Sequence, residues 1–174
     1  MKYILSLLLT LGLAFTSHSK SIEVGENIDV MHYEIHLNEI NMADRTLDAT
    51  AVISLKTLTS VDEMKLELKS LNVTSVTSDE AIVNNYSQNG DILSISFENT
   101  VPANMEISLT INYGGTTFNE SWGGIHWSND YVYNLGVGFD SQPHNLGKTW
   151  FPCVDNFTDK ASYDLYLTIP SDMV

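Results

Sequence analysis

Apolar residues recur at every second position through most of this chain. That period commits it to strands with one buried and one wet face rather than to helices. Tyr33, Ile35 and Leu37 alternate with His32, Glu34, His36 and Asn38. Leu47, Ala49, Ala51, Ile53 and Leu55 alternate with Asp48, Thr50, Ser54 and Lys56. The short stretch 42–46 between these runs predicts a turn, so the pair reads as a hairpin. Further runs fall at Met64, Leu66 and Leu68, at Leu93, Ile95 and Phe97, at Ile107, Leu109, Ile111 and Tyr113, and at Tyr163, Leu165, Leu167 and Ile169, with a weaker one near Ile82 and Val83. Asn89-Gly90-Asp91 is a strong hairpin tip, and Pro102, Asn104, Gly114 and Gly115 mark later breaks. Short strands at near-regular spacing, with no sustained helical period, predict an all-β chain: an antiparallel β-sandwich or a saddle-shaped, curved two-layer sheet.

The alternation lapses after Tyr113. Trp122, Gly123, Gly124, Trp127, Tyr131, Tyr133, Gly136, Gly138, Phe139, Trp150 and Phe151 gather there, and the region reads as a long loop with little regular structure. Such a loop needs a reason. Either its rings seal one edge of the sandwich, or they line a surface against a ligand or a second domain.

The amino terminus is a separate unit. Lys2 precedes an apolar run over residues 3–15, too short for a membrane span of about 20 residues, and Ser17-His18-Ser19 offers the small-x-small pattern of a cleavage site. Residues 1–19 therefore read as a secretory signal peptide and 20–174 as the mature β domain, exported to the periplasm or secreted. With 8 Lys plus Arg against 22 Asp plus Glu, a net charge of -14, the chain repels phosphate backbones and anionic headgroups, which argues against nucleic-acid and membrane partners. A single cysteine, Cys153, rules out an intramolecular disulfide and reads as a small buried side chain among Phe151, Pro152 and Val154.

Metal and catalytic handles are sparse. His32 and His36 flank Glu34, but a zinc-protease HExxH needs Glu beside the first His and a helix beneath both. On a strand the two histidines stand about 13 Å apart, too far to share an ion, and read as a solvated face. No nucleophile elbow, phosphate-binding glycine loop or CxxC pair occurs. Asn-x-Ser/Thr triplets begin at Asn72, Asn85, Asn119 and Asn156, as chance supplies in a chain rich in Asn, Ser and Thr.

The stretch FDSQPHNLGKTWFPCVDNFTDKASYDLYLTIP, residues 139–170, carries a specific order of elements. Ser141-Gln142 is followed by Lys148, the core Phe151-Pro152-Cys153-Val154-Asp155, the pair Lys160-Ala161 and a strand running to Pro170. This resembles the end of the amino-terminal domain of the aminopeptidase N family of zinc metallopeptidases. The opening hairpin sits where that family begins its saddle-shaped sheet, so the resemblance covers residues 28–174.

The resemblance implies a zinc-dependent exopeptidase that removes residues from the amino terminus of peptides, with zinc held by a carboxy-terminal catalytic domain. Neither Gly-x-Met-Glu-Asn nor HExxH occurs here, so no catalytic or zinc-ligating residue is assigned and the chain is expected to be inactive alone, a product cut before its catalytic domain. In the family a Gln-x-Glu or Gln-x-Gln stretch reaches the cleft and holds the substrate's amino end. Gln142 matches its first position; the second falls on His144, whose neutral imidazole cannot attract an ammonium as a carboxylate does. Gln142 and His144 are thus the expected substrate-binding residues. Lys148, Asp155 and Lys160 are expected to pair structurally beneath the cleft. The competing reading is a free-standing, non-catalytic β-sandwich module whose aromatic cluster over residues 122–133 binds carbohydrate or peptide.

Overall fold

The computed structural model describes residues 22–129 and 131–169. The expected signal peptide, 1–19, lies outside them. Strands β1 (Ile28–Asn41), β2 (Thr46–Thr57), β3 (Val61–Glu67), β4 (Asn72–Ser78), β5 (Val83–Asn89), β6 (Ile92–Val101), β7 (Glu106–Thr116), β8 (Asn119–Glu120), β9 (Gly123–Trp127), β10 (Val132–Leu135) and β11 (Ser162–Leu167) build three sheets, with a single 3-10 turn at Gly147–Thr149. The five-stranded sheet runs β11-β1-β2-β7-β4; the other two run β3-β6-β5 and β10-β9-β8. The architecture is all-β and predominantly antiparallel, as the period-two pattern predicts.

Register follows the hydrophobic pattern, because a slip of one residue would turn every apolar side chain to water. Tyr33 faces Ile53 and Ile35 faces Ala51 across β1 and β2, and Ile53 and Ala51 face Leu109 and Ile111 across β2 and β7. Against that inner face packs the β3-β6 pair, with Met64 opposite Ile95 and Leu66 opposite Leu93. All of these belong to one buried cluster. Complete burial of each Leu or Ile contributes roughly 1.5–3 kcal/mol, so this layer contact is the main source of stability. The Asn89-Gly90-Asp91 tip joins β5 to β6, with Gly90 at φ 60°, where a side chain would be strained.

Three features depart from the sequence reading. First, Asn72–Ser78 is a full strand at the sheet edge. Its sequence, NVTSVTS, buries only Val76, so it lacks the alternation that marks a strand.

Second, the region after Tyr113 is not a structureless loop. Residues 119–135 hold the small sheet β10-β9-β8, and β9 buries Gly123, Gly124 and Ile125. Gly123 and Gly124 join the ladder opposite Glu120, Asn119 and Leu135, so they leave no apolar period to read. The rings divide between the two roles expected of them: Trp127 and Trp150 pack against the core, whereas Trp122, Tyr131, Tyr133 and Phe139 are exposed.

Third, β11 pairs with β1 in parallel, Tyr33 beside Tyr163 and Leu37 beside Leu167, and every one of its residues is exposed. Its apolar alternation is real, but no second layer covers it. Leu165, Leu167 and Ile169 instead line an open apolar groove of about 380 Å³ with Leu37, Trp127 and Trp150.

Candidate functional site

Gln142 and His144 sit in one small loop whose base is closed by backbone pairing. Val137 bridges Asn145 in antiparallel fashion. Gly138 N donates to His144 O at 2.7 Å, and Leu146 N donates to Gly136 O at 2.9 Å. The Gln142–Pro143 peptide is cis.

The wall of the loop is held by Glu120 of β8. Its Oε1 accepts from Asp140 N at 3.0 Å and its Oε2 from the Ser141 hydroxyl at 2.5 Å. The Ser141 hydroxyl, together with the Asp140 and neighbouring amides, holds the Glu120 carboxyl below the usual carboxylate range. A close approach makes this possible: a Cβ on Gly138 would collide with the Glu120 carboxylate and with Leu146 Cδ1.

Hydrogen bonding then fixes the two polar side chains. His144 Nδ1 lies 2.8 Å from Gly138 O, an acceptor only, so Nδ1 carries the proton and donates. Nε2 of the neutral ring is left with its lone pair, and the Gln142 amide nitrogen donates to it at 3.2 Å. The carboxamide is thereby turned so that Oε1 points away from the imidazole. An exposed carbonyl acceptor, oriented by its neighbour, is what the pair presents to solvent.

Beneath the loop the chain is anchored to the core. Asn145 Nδ2 donates to Asp155 O. The 3-10 turn carries Lys148 inward, where its ammonium meets Glu67 Oε1 at 2.6 Å and Asp155 Oδ2 at 3.9 Å. Burial pulls the Lys148 ammonium down, but the hydrogen bond and charge of Glu67, with Asp155 and Asp91, outweigh it and hold it above the ordinary lysine value. Burial raises the Asp155 carboxyl.

Cys153 exchanges both backbone hydrogen bonds with Glu67, at 2.8 and 3.0 Å. Burial pushes its thiol well above the ordinary range, so it is no nucleophile. Two core tyrosines cap the same segment: Val154 N donates to the Tyr33 hydroxyl at 3.1 Å, and the Tyr113 hydroxyl donates to Trp150 O at 2.9 Å.

Of the residues singled out in the sequence, Gln142 and His144 come together, and Lys148 pairs with Asp155. Lys160 is exposed and joins neither group. Glu67 and Glu120 escaped sequence reasoning. Glu67 sits between Leu66 and Leu68, and Glu120 sits inside an Asn-x-Ser triplet; nothing local signals that either reaches a segment far along the chain.

The donor set does not fit a zinc ion. His32 and His36 project from the outer face of β1, where His32 Nδ1 hydrogen-bonds Ser162 Oγ at 2.8 Å and His36 Nε2 hydrogen-bonds Glu34 at 2.6 Å. His126 bonds Gly123 O at 3.0 Å and stacks on Tyr133. Among the described residues no three His, Cys, Asp or Glu side chains converge as metal ligands.

The Peptidase M1 N-terminal domain family matches residues 30–174. No curated protein matches the chain in sequence. Among solved structures, the M1 zinc metallopeptidase from Deinococcus radiodurans superposes with a TM-score of 0.68 at 19% identity, over 83% of this chain and 33% of that one. A variant of that metallopeptidase bound to a Tyr-Ser-Ala substrate superposes with a TM-score of 0.66 at 19% identity, over 82% of this chain and 32% of that one. At such identity the likeness is one of fold, and the chain spans about a third of the length of these structures. With the family matched over residues 30–174 and the fold shared, the chain belongs to the peptidase M1 N-terminal domain family.

Proposed function

We propose that this chain is the amino-terminal substrate-cleft domain of an exported zinc-dependent aminopeptidase, inactive by itself and completed by a catalytic domain carried in a longer protein. The observation that carries the reading is the exposed Gln142 carboxamide, whose nitrogen is held by His144 so that Oε1 is left as its acceptor. The amino end of a peptide is an ammonium with three donors, and an exposed carbonyl oxygen accepts one of them. The amide, oriented by His144, positions the amine by hydrogen bonding and adds no charge attraction, so neutralising groups come from the catalytic domain. The zinc ligands come from there as well, because no histidines converge among the described residues.

The groove edged by Leu165, Leu167 and Ile169 supports a docked partner domain. It is apolar, lies along the last described strand, and is left open by the domain's own layers. Exposed apolar surface of this kind marks an interaction face. The character of residues 1–19 supports export, to the periplasm or out of the cell.

Two measurements test the reading. The purified chain with zinc is expected to hydrolyse no aminoacyl anilide; zinc-dependent turnover by homogeneous material would show that the chain needs no partner. In a longer protein containing this domain, Gln142→Ala is expected to raise KM for peptides, and unchanged kinetics would remove Gln142 from the cleft.

A further inference from the structure

Two large rings beside the candidate amine site are left in water. Trp122 is 64% exposed and Phe139 70% exposed. Their centroids stand 6.3 Å apart at an interplanar angle of 67°, and Phe139 meets the His144 ring at 6.4 Å and 63°. Three rings set edge to face in series form a stepped wall that leads to the Gln142 carboxamide.

The placement is held, not floppy. Glu120 lies two residues before Trp122, and its carboxylate grips Asp140 N and the Ser141 hydroxyl immediately after Phe139. One side chain therefore ties together the segments that carry both rings. Gly123, next to Trp122, packs so closely that a Cβ there would lie 2.8 Å from Gly138 Cα and 2.9 Å from Val137 O.

Resting on the assignment of Gln142 to the cleft, the geometry points to Trp122 and Phe139 as the specificity wall for the first residue of the substrate, selecting an aromatic or large apolar side chain. With the ammonium on Gln142 Oε1, the adjacent carbon stands beside the Gln142–His144 pair, and a long side chain on it can turn back over the pair to reach Phe139, which abuts His144, and then Trp122. A ring covered there removes apolar area of both partners from water and adds edge-to-face contact. A methyl group covers almost none of it. The nearby Glu120 carboxylate is engaged by Asp140 N and the Ser141 hydroxyl, so selection along the rings is by apolar area and shape.

The test uses this chain with phenylalaninamide and alaninamide as probes, followed by the NMR signals of the Trp122 indole N–H and the Gln142 side-chain amide. Phenylalaninamide is expected to move both signals and to bind about tenfold more tightly than alaninamide. Trp122→Ala should bring that ratio to about one, whereas Tyr131→Ala, an exposed ring in the connection between β9 and β10, should leave it intact. Equal affinity for the two probes with the Gln142 signal responding would overturn the wall and leave the cleft assignment standing. A response at Trp122 without one at Gln142, or at neither, would overturn both.

Discussion

Lys148 Nζ and Glu67 Oε1 meet at 2.6 Å beneath the Gln142 loop, with only 10% and 16% of their side chains exposed. One comes from the segment that carries the candidate site and the other from the end of β3, so this contact fastens the loop base to the second layer. Removing the ammonium strands a buried carboxylate. Lys148→Met is expected to lower unfolding free energy by about 3 kcal/mol, and adding Glu67→Gln should recover most of that loss, both read from urea denaturation.

Glu120 gives the loop a pH dependence whose sign follows from its shift. Its folded pKa lies below the ordinary value of 4.5, so its contribution is fully present above that value and is lost as pH falls through the depressed pKa. The backbone amide signals of Asp140 and Ser141 should hold steady at neutral pH and move only below the ordinary carboxylate range. Glu120→Gln should place them near their acid positions at every pH; a wild-type titration centred at or above 4.5 would contradict the clamp.

Cys153 is the free thiol of the described residues, and it is buried with its pKa pushed up by desolvation. A disulfide reagent at neutral pH is expected to label it only as fast as the chain unfolds, so labelling should track the urea transition. Cys153→Ser should cost about 1–3 kcal/mol by placing a hydroxyl in an apolar site.

Metal dependence of stability is a further point of contact with experiment. Because no three metal-ligating side chains converge among the described residues, chelation with EDTA should leave the Tm of this chain unchanged, and zinc titration should produce no saturable heat. A stabilising zinc site in this chain would show as a Tm that falls on chelation.

How much of this was legible in sequence depended on whether a strand has a dry side. β1, β2, β6 and β7 each bury one face, and their alternation showed in the residues. β4 and most of β5 lie at sheet edges with Asn, Ser, Thr and Gln on both faces, so only the backbone pairing reveals them. The small sheet at β8-β9-β10 was hidden for a related reason, since Gly123 and Gly124 make the ladder without side chains. At the site, the spacing of Gln142 and His144 was readable. Which atom of each faces outward was not: that is set by Gly138 O, through the tautomer it imposes on His144.

Among the described strands β1 is synthesised first and gains its outer neighbour last. His32 and Ser162, which hydrogen-bond across the β1–β11 pair, are 130 residues apart in the chain. The β1–β2 hairpin forms at once from local contacts, whereas closing the β1 edge waits until almost the whole domain has left the ribosome. Throughout that interval β1 carries a bare row of amides and carbonyls, the kind of edge on which neighbouring nascent chains pair. Any product ended before Ser162 keeps that edge for its lifetime, so aggregation during synthesis should fall sharply once β11 is included.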